Sequence, residues 1–121
     1  MRVLIVEDDR DLVDLLGLLL REMAGWEVES FTDPSQVLAD PSLLGSVDLA
    51  LVDLNMEPLG GPELVRRWRE NGALPCPVVF LTGERPSSGD LALVDGAIKK
   101  PFTYQELMER LGAILGPRIS T

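Results

Sequence analysis

The amino-acid sequence predicts an α/β fold, a parallel sheet with helices on both faces. Three observations carry that expectation. The short apolar runs Val3–Val6, Leu49–Val52 and Val78–Leu81 each end abruptly in charged or polar residues, as strands buried on both faces do. Longer stretches with apolar residues at helical spacing lie between them. The two kinds of segment alternate, which favours parallel strands joined by crossover helices.

Each element has its own justification. Val3-Leu4-Ile5-Val6 is the first strand, closed by Glu7-Asp8-Asp9. From Arg10 to Met23, apolar residues fall at 12, 13, 15, 16, 19, 20 and 23, a helical pattern with Asp9 as N-cap and Gly25 as stop. A weaker strand follows from Val28 to Thr32. Asp33-Pro34 provides a cap and a first-turn proline for a helix through Leu38 towards Leu44, with a break expected at Pro41. Leu49–Val52 is the third strand, ended by Asp53, and Asn55 to Gly61 is a loop containing Pro58 and two glycines. Pro62 to Arg69 is helical through Leu64, Val65 and Trp68, and Gly72 stops it. Val78–Leu81 is the fourth strand, ended by Thr82-Gly83, and Ala97–Lys99 is a short fifth strand. Gln105 to Leu115 is the last helix, stopped by Gly116-Pro117. No repeat, low-complexity segment or internal linker interrupts this order, so residues 1–121 read as a single domain.

Composition narrows the chemistry. The chain has 121 residues, 20 acidic and 11 basic, with one cysteine, no histidine and a formal net charge of −9. Without histidine there is no His-based zinc site, no Ser-His-Asp or Cys-His triad and no phosphohistidine donor. A lone Cys76 excludes an internal disulfide and CxxC redox chemistry; between Pro75 and Pro77 it reads as a structural thiol. Trp26 and Trp68 read as packing residues. The negative charge argues against a nucleic-acid surface. Lys99 and Lys100 are the only lysines, so no polybasic membrane patch exists. No apolar run approaches the roughly 20 residues of a membrane span, and the opening run is too short for a signal peptide. The chain is expected to be cytoplasmic.

In parallel α/β sheets the working groups gather at the carboxyl ends of strands. Here those ends carry Glu7-Asp8-Asp9, Asp53, Thr82 and Lys100-Pro101. Two carboxylates about 5 Å apart repel by about 3 kcal/mol at an effective dielectric near 20, so such a cluster needs neutralising. Hard oxygen ligands suit Mg²⁺, and Lys100 adds a second positive charge. A carboxylate can also act as a nucleophile towards phosphorus. Asp53 as nucleophile, Glu7 and Asp8 for Mg²⁺, and Thr82 and Lys100 on the phosphoryl oxygens would together meet that need.

At these residues the sequence resembles the response-regulator receiver domains of bacterial two-component signalling. The matching pieces are VLIVEDD at 3–9, LALVDLN at 49–55, VVFLTG at 78–83 and KKPF at 99–102. Each is weak alone; all of them in order and at family-like spacing make a strong signal. The resemblance implies a flavodoxin-like five-stranded (βα)5 sandwich with Asp53 as phosphoacceptor. It implies Glu7, Asp8, Asp53 and the backbone carbonyl of Asn55 as Mg²⁺ ligands, Thr82 as the switch hydroxyl and Lys100 as the site lysine. The proline after this lysine is often preceded by a cis bond. Asn55 and Glu84 fall at positions that tune phosphate lifetime. The expected partners are a histidine kinase or phosphotransfer protein and a downstream protein or fused output domain, with no enzyme activity beyond self-catalysed phosphorylation and dephosphorylation.

The sequence departs from the family pattern in three places. Ala97 stands where an aromatic residue usually precedes the lysine by three positions. The stretch from Thr82 to Lys100 is about one helical turn short and contains the loop-like Arg85-Pro86-Ser87-Ser88-Gly89. That leaves room only for a short or irregular fourth helix at Asp90 to Val94. Pro58 follows Asp53 by five residues, where four is commoner. The altered fourth-helix region favours one rival reading, a pseudo-receiver acting as a phosphorylation-independent interaction module, which the complete acceptor set opposes. Enzymes on similar sheets fit less well: no GxGxxG follows the first strand and no GxxxxGK[ST] occurs. A dehalogenase-type phosphatase would need DxD at the end of that strand.

Overall fold

In a computed structural model, residues 1–72 and 76–116 are described. The elements are β1 (Arg2–Val6), α1 (Arg10–Glu22), β2 (Glu27–Phe31), α2 (Pro34–Leu38), a 3-10 turn (Pro41–Ser46), β3 (Leu49–Asp53), α3 (Gly61–Glu70), β4 (Val78–Thr82), α4 (Ser88–Leu91), β5 (Gly96–Lys99) and α5 (Tyr104–Leu115). The strands form one parallel sheet in the order β2-β1-β3-β4-β5. Its register sets Val3 beside Leu49, Ala50 beside Val78 and Val79 beside Gly96.

The continuous apolar runs form the central strands because both faces of the sheet are covered. β3 and β4 are buried at every residue, whereas the edge strands β2 and β5 are only partly covered. The period-2 alternation of a strand divides the core. Leu4, Val6, Ala50, Val52 and Phe80 face Val37, Leu64, Val65 and Trp68 from α2 and α3. Val3, Ile5, Leu51, Leu81 and Ile98 face α1 (Leu16, Leu20) and α5 (Leu107, Leu111). The result is the three-layer, doubly wound sandwich that the sequence predicts.

Helix ends follow their capping residues. The Asp9 side chain accepts from the backbone N–H of Asp11 and Leu12, and Thr103 and Glu106 form a reciprocal capping box at α5. After α1 and α3 the chain turns through Gly25 (φ 70°) and Gly72 (φ 71°), a left-handed backbone that glycine adopts without strain. The stop at Pro117 and the position of Pro75 lie outside the described residues.

Most element ends lie within a residue of their expected place, and three differences have a local cause or a bearing on the site. The second helix ends at Leu38, and the break expected at Pro41 takes the form of a separate 3-10 turn over Pro41–Ser46. Proline lacks the N–H that an α-helix would use there, and its ring clashes with the carbonyl four residues back. The second strand begins one residue earlier than expected, at Glu27. The fourth helix is short, as expected, but occupies Ser88–Leu91 instead of 90–94, because the Ser87 hydroxyl accepts from Asp90 N and starts it early.

Candidate functional site

The strand order reverses between β1 and β3, so the carboxyl ends of β1, β3, β4 and β5 open onto one crevice. Glu7 and Asp8 follow β1, Asp53 and Thr82 are the last residues of β3 and β4, and Lys100 follows β5. The Lys100 backbone N–H donates to the Thr82 carbonyl at 2.7 Å, which extends the ladder by one residue and fixes the lysine beside the acidic groups. The Lys100–Pro101 peptide is cis, and so is Glu57–Pro58.

The site is anionic and mostly buried. Glu7 is 0% exposed, Asp53 3% and Thr82 2%, while Asp8 is exposed. One carboxylate oxygen from each of Glu7, Asp8 and Asp53 lies within 4.8 Å of the others. Lys100 Nζ donates to Glu7 Oε1 at 2.8 Å and to Asp53 Oδ1 at 3.2 Å. Burial, reinforced by the adjacent Glu7, pushes the Asp53 carboxyl up to about 7, against the opposing pull of Lys100. Burial works to lower the pKa of the Lys100 ammonium, but Glu7 and Asp53 outweigh it and hold the group above the ordinary lysine value.

Around this centre the remaining expected residues take distinct places. Asn55 donates its backbone N–H towards Asp53 Oδ1 at 3.4 Å and its side-chain Nδ2 to Glu84 Oε1 at 2.7 Å. The Thr82 hydroxyl donates to the Glu84 carbonyl at 2.9 Å and accepts from Glu84 N at 3.0 Å. Among the described residues no hydrogen bond joins Thr82 to Asp53. Asp9 stays outside the centre as the cap of α1. The Asn55–Glu84 bond has no counterpart in the sequence reading, because it depends on two loops meeting at the rim. Three oxygen donors without nitrogen or sulfur form a set suited to a hard divalent cation such as Mg²⁺.

The chain matches a known family. The model of the response regulator receiver domain matches residues 3–112. The chain belongs to the response-regulator receiver family. The receiver is 37% identical over 119 residues to the transcriptional regulatory protein CpxR of Escherichia coli, covering 94% of this chain and 49% of that protein. It is 32% identical over 118 residues to the sensory transduction protein RegX3 of Mycobacterium tuberculosis, covering 93% of this chain and 50% of that one. The receiver thus spans about half the length of these curated relatives. Among solved structures it resembles the chemotaxis protein CheY4 of Vibrio cholerae, with a TM-score of 0.80, 26% identity and coverage of 93% and 97% of the two chains. It also resembles the receiver domain of the hybrid histidine kinase CckA, with a TM-score of 0.77, 30% identity and coverage of 95% and 99%. The receiver is therefore a phosphoacceptor module of two-component signalling, and no helix among its described residues is long and apolar enough to cross a membrane.

Proposed function

We propose that Asp53 is the phosphoacceptor and that the donor is a phosphohistidine on a histidine kinase or phosphotransfer protein. A carboxylate oxygen of Asp53 attacks phosphorus, the histidine N–P bond breaks, and the imidazole leaves with that electron pair. Glu7, Asp8, Asp53 and the Asn55 carbonyl are the residues that would hold Mg²⁺, which supplies positive charge to the phosphoryl oxygens. Lys100, 3.2 Å from Asp53, is placed to pair with a phosphoryl oxygen as the charge of the acceptor moves outwards. The Thr82 hydroxyl exchanges its bonds to Glu84 for one to the phosphoryl group, carrying the event into the 83–85 turn. Asn55 and Glu84, hydrogen-bonded across the rim, set how readily water reaches the acyl phosphate. Hydrolysis at Asp53 is the only turnover in this scheme.

The observation that carries the assignment is a carboxylate, nine-tenths buried or more, at the end of β3, flanked by two further carboxylates and an ammonium. Beside it lies a cavity of about 420 Å³ lined by Asp9, Leu12, Leu15, Lys100, Pro101 and Phe102. Leu15 and Leu18 on α1 are exposed. This apolar approach to Lys100 is the docking side for the phosphodonor protein. Residues 1–121 act as one cytoplasmic receiver whose phosphorylation alters contacts with a downstream protein or output domain. The test is incorporation of label from acetyl phosphate with Mg²⁺. The wild-type protein is expected to be labelled and Asp53→Asn to remain unlabelled. Persistent labelling of Asp53→Asn would place the acceptor elsewhere, and an unlabelled wild type would favour the interaction-module reading.

A further inference from the structure

One stretch of the sheet is left without a helix over it. β5 is an edge strand of four residues, about 13 Å long at roughly 3.3 Å per residue. α4 also has four residues, but at about 1.5 Å each it reaches only about 6 Å. Ala97, which packs towards the α2–α3 layer, adds no more than a methyl group. Beside this strand lies a cavity of about 310 Å³ lined by Thr82, Glu84, Arg85, Pro86, Ala97 and Lys99.

The chemistry of its lining is specific. Ala97 and Pro86 are the apolar side chains of its lining. Ala97 and Lys99 are two apart on β5 and so share a face, which sets the Lys99 ammonium at the same mouth. Arg85 lines the same cavity, and both cations are exposed. Neither enters an ion pair or side-chain hydrogen bond among the described residues, whose ion pairs use only Arg2, Arg66, Arg67 and Lys100 as cations. On a chain of formal net charge −9, two unpaired cations at one mouth are an exception. Glu84, a carboxylate that also lines the cavity, accepts from Asn55 Nδ2 at 2.7 Å.

An apolar hollow of ring size with free cations at its rim fits an aromatic ring carrying one carboxylate. The volume lies at the small end of ligand pockets, enough for one ring and its substituent. We propose that this cavity is a binding site for a small aromatic monocarboxylate, distinct from the acidic centre. The ring sits against Ala97 and Pro86, and the carboxylate sits between Arg85 and Lys99. Thr82 also lines the cavity, so a bound ring would register at the turn that holds its hydroxyl.

Phenylacetate is a suitable probe, titrated into ¹⁵N-labelled wild-type protein. A ligand of this size should bind with a Kd on the order of 1 mM. Saturable shifts are expected at the amides of Gly83, Arg85, Ala97 and Lys99. Benzyl alcohol, which has the ring without the carboxylate, should bind roughly tenfold more weakly. Ala97→Phe should abolish the shifts by filling the hollow. The surface variant Lys99→Glu leaves the core untouched and should weaken phenylacetate roughly tenfold without affecting benzyl alcohol. Absence of saturable shifts up to tens of millimolar would overturn the site. So would equal binding of the two probes, or undiminished binding of phenylacetate to Lys99→Glu.

Discussion

Asp53 shows how one residue couples stability to chemistry. Its carboxyl is pushed up to about 7 in the folded chain, whereas in the unfolded chain it titrates near 4. Between those values the folded state holds a proton that the unfolded state has lost, so the pH dependence has a definite sign. In metal-free buffer, stability should fall as pH rises from about 4 through about 7, and millimolar Mg²⁺ should restore most of the loss. Thermal unfolding across this range, with and without Mg²⁺, checks both statements. Asp53→Asn removes the repulsion with Glu7 and should raise metal-free stability at pH 8 by about 1–2 kcal/mol. Lys100→Ala does the opposite: Glu7 and Asp53 lose the ammonium 2.8 and 3.2 Å away. A loss of about 2 kcal/mol or more is expected at the same pH, measured by denaturant midpoint. That Glu7, Asp8, Asp53, Thr82 and Lys100 meet at one edge of the sheet was legible in the sequence because each closes an apolar strand. The direction of the Thr82 hydroxyl, and the bond between Asn55 and Glu84, were not. Both depend on how the turn after β4 folds back, and no periodicity encodes that.

At the scale of elements, close approaches decide which substitutions are tolerated. A Cβ on Gly61 would lie 2.5 Å from the Asp53 carbonyl oxygen and 3.0 Å from the Phe80 ring. Backbone cannot yield as a side chain does, so Gly61→Ala should cost about 2–3 kcal/mol and disturb the acceptor strand itself. A Cβ on Gly96 would meet Ile114 Cδ1 at 2.6 Å. Cγ1 and Cγ2 of the same β-branched side chain would lie at 2.8 and 3.3 Å, so the tip cannot clear the clash alone, and Gly96→Ala should cost about 1–2 kcal/mol. Denaturant unfolding of the two variants orders them. Thr103→Ala removes the hydroxyl that accepts from Glu106 N and should lose about 1 kcal/mol. The buried strands and the helices with strong apolar stripes were readable because burial on two faces, or on one, leaves distinct patterns. The starts of β2 and α4 were misplaced. β2 is an edge strand with a mixed pattern, and α4 is set by a single serine cap.

Across the whole molecule, cover is uneven. The described helices α1, α3 and α5 bury apolar stripes, whereas α4 has no buried residue. Its end is tied down from outside: Arg69 Nη2 donates to the Leu93 carbonyl, and Asp95 Oδ2 accepts from Val78 N at 2.9 Å. Amide exchange should therefore be fast over 87–92 and slow in α1 and α5, and comparable protection throughout would contradict that ranking. The sheet, meanwhile, stands as a wall between two apolar compartments with no residue in common. Cavities cut on opposite sides of it relax into separate neighbourhoods. Leu64→Ala and Leu107→Ala should consequently add, with a coupling energy within about 0.5 kcal/mol of zero, whereas Leu64→Ala and Val37→Ala, on one side, should not. Mutational drift on the side of α1 and α5 then leaves the tolerances of the other side unchanged, and each face of this molecule can accumulate substitutions on its own schedule.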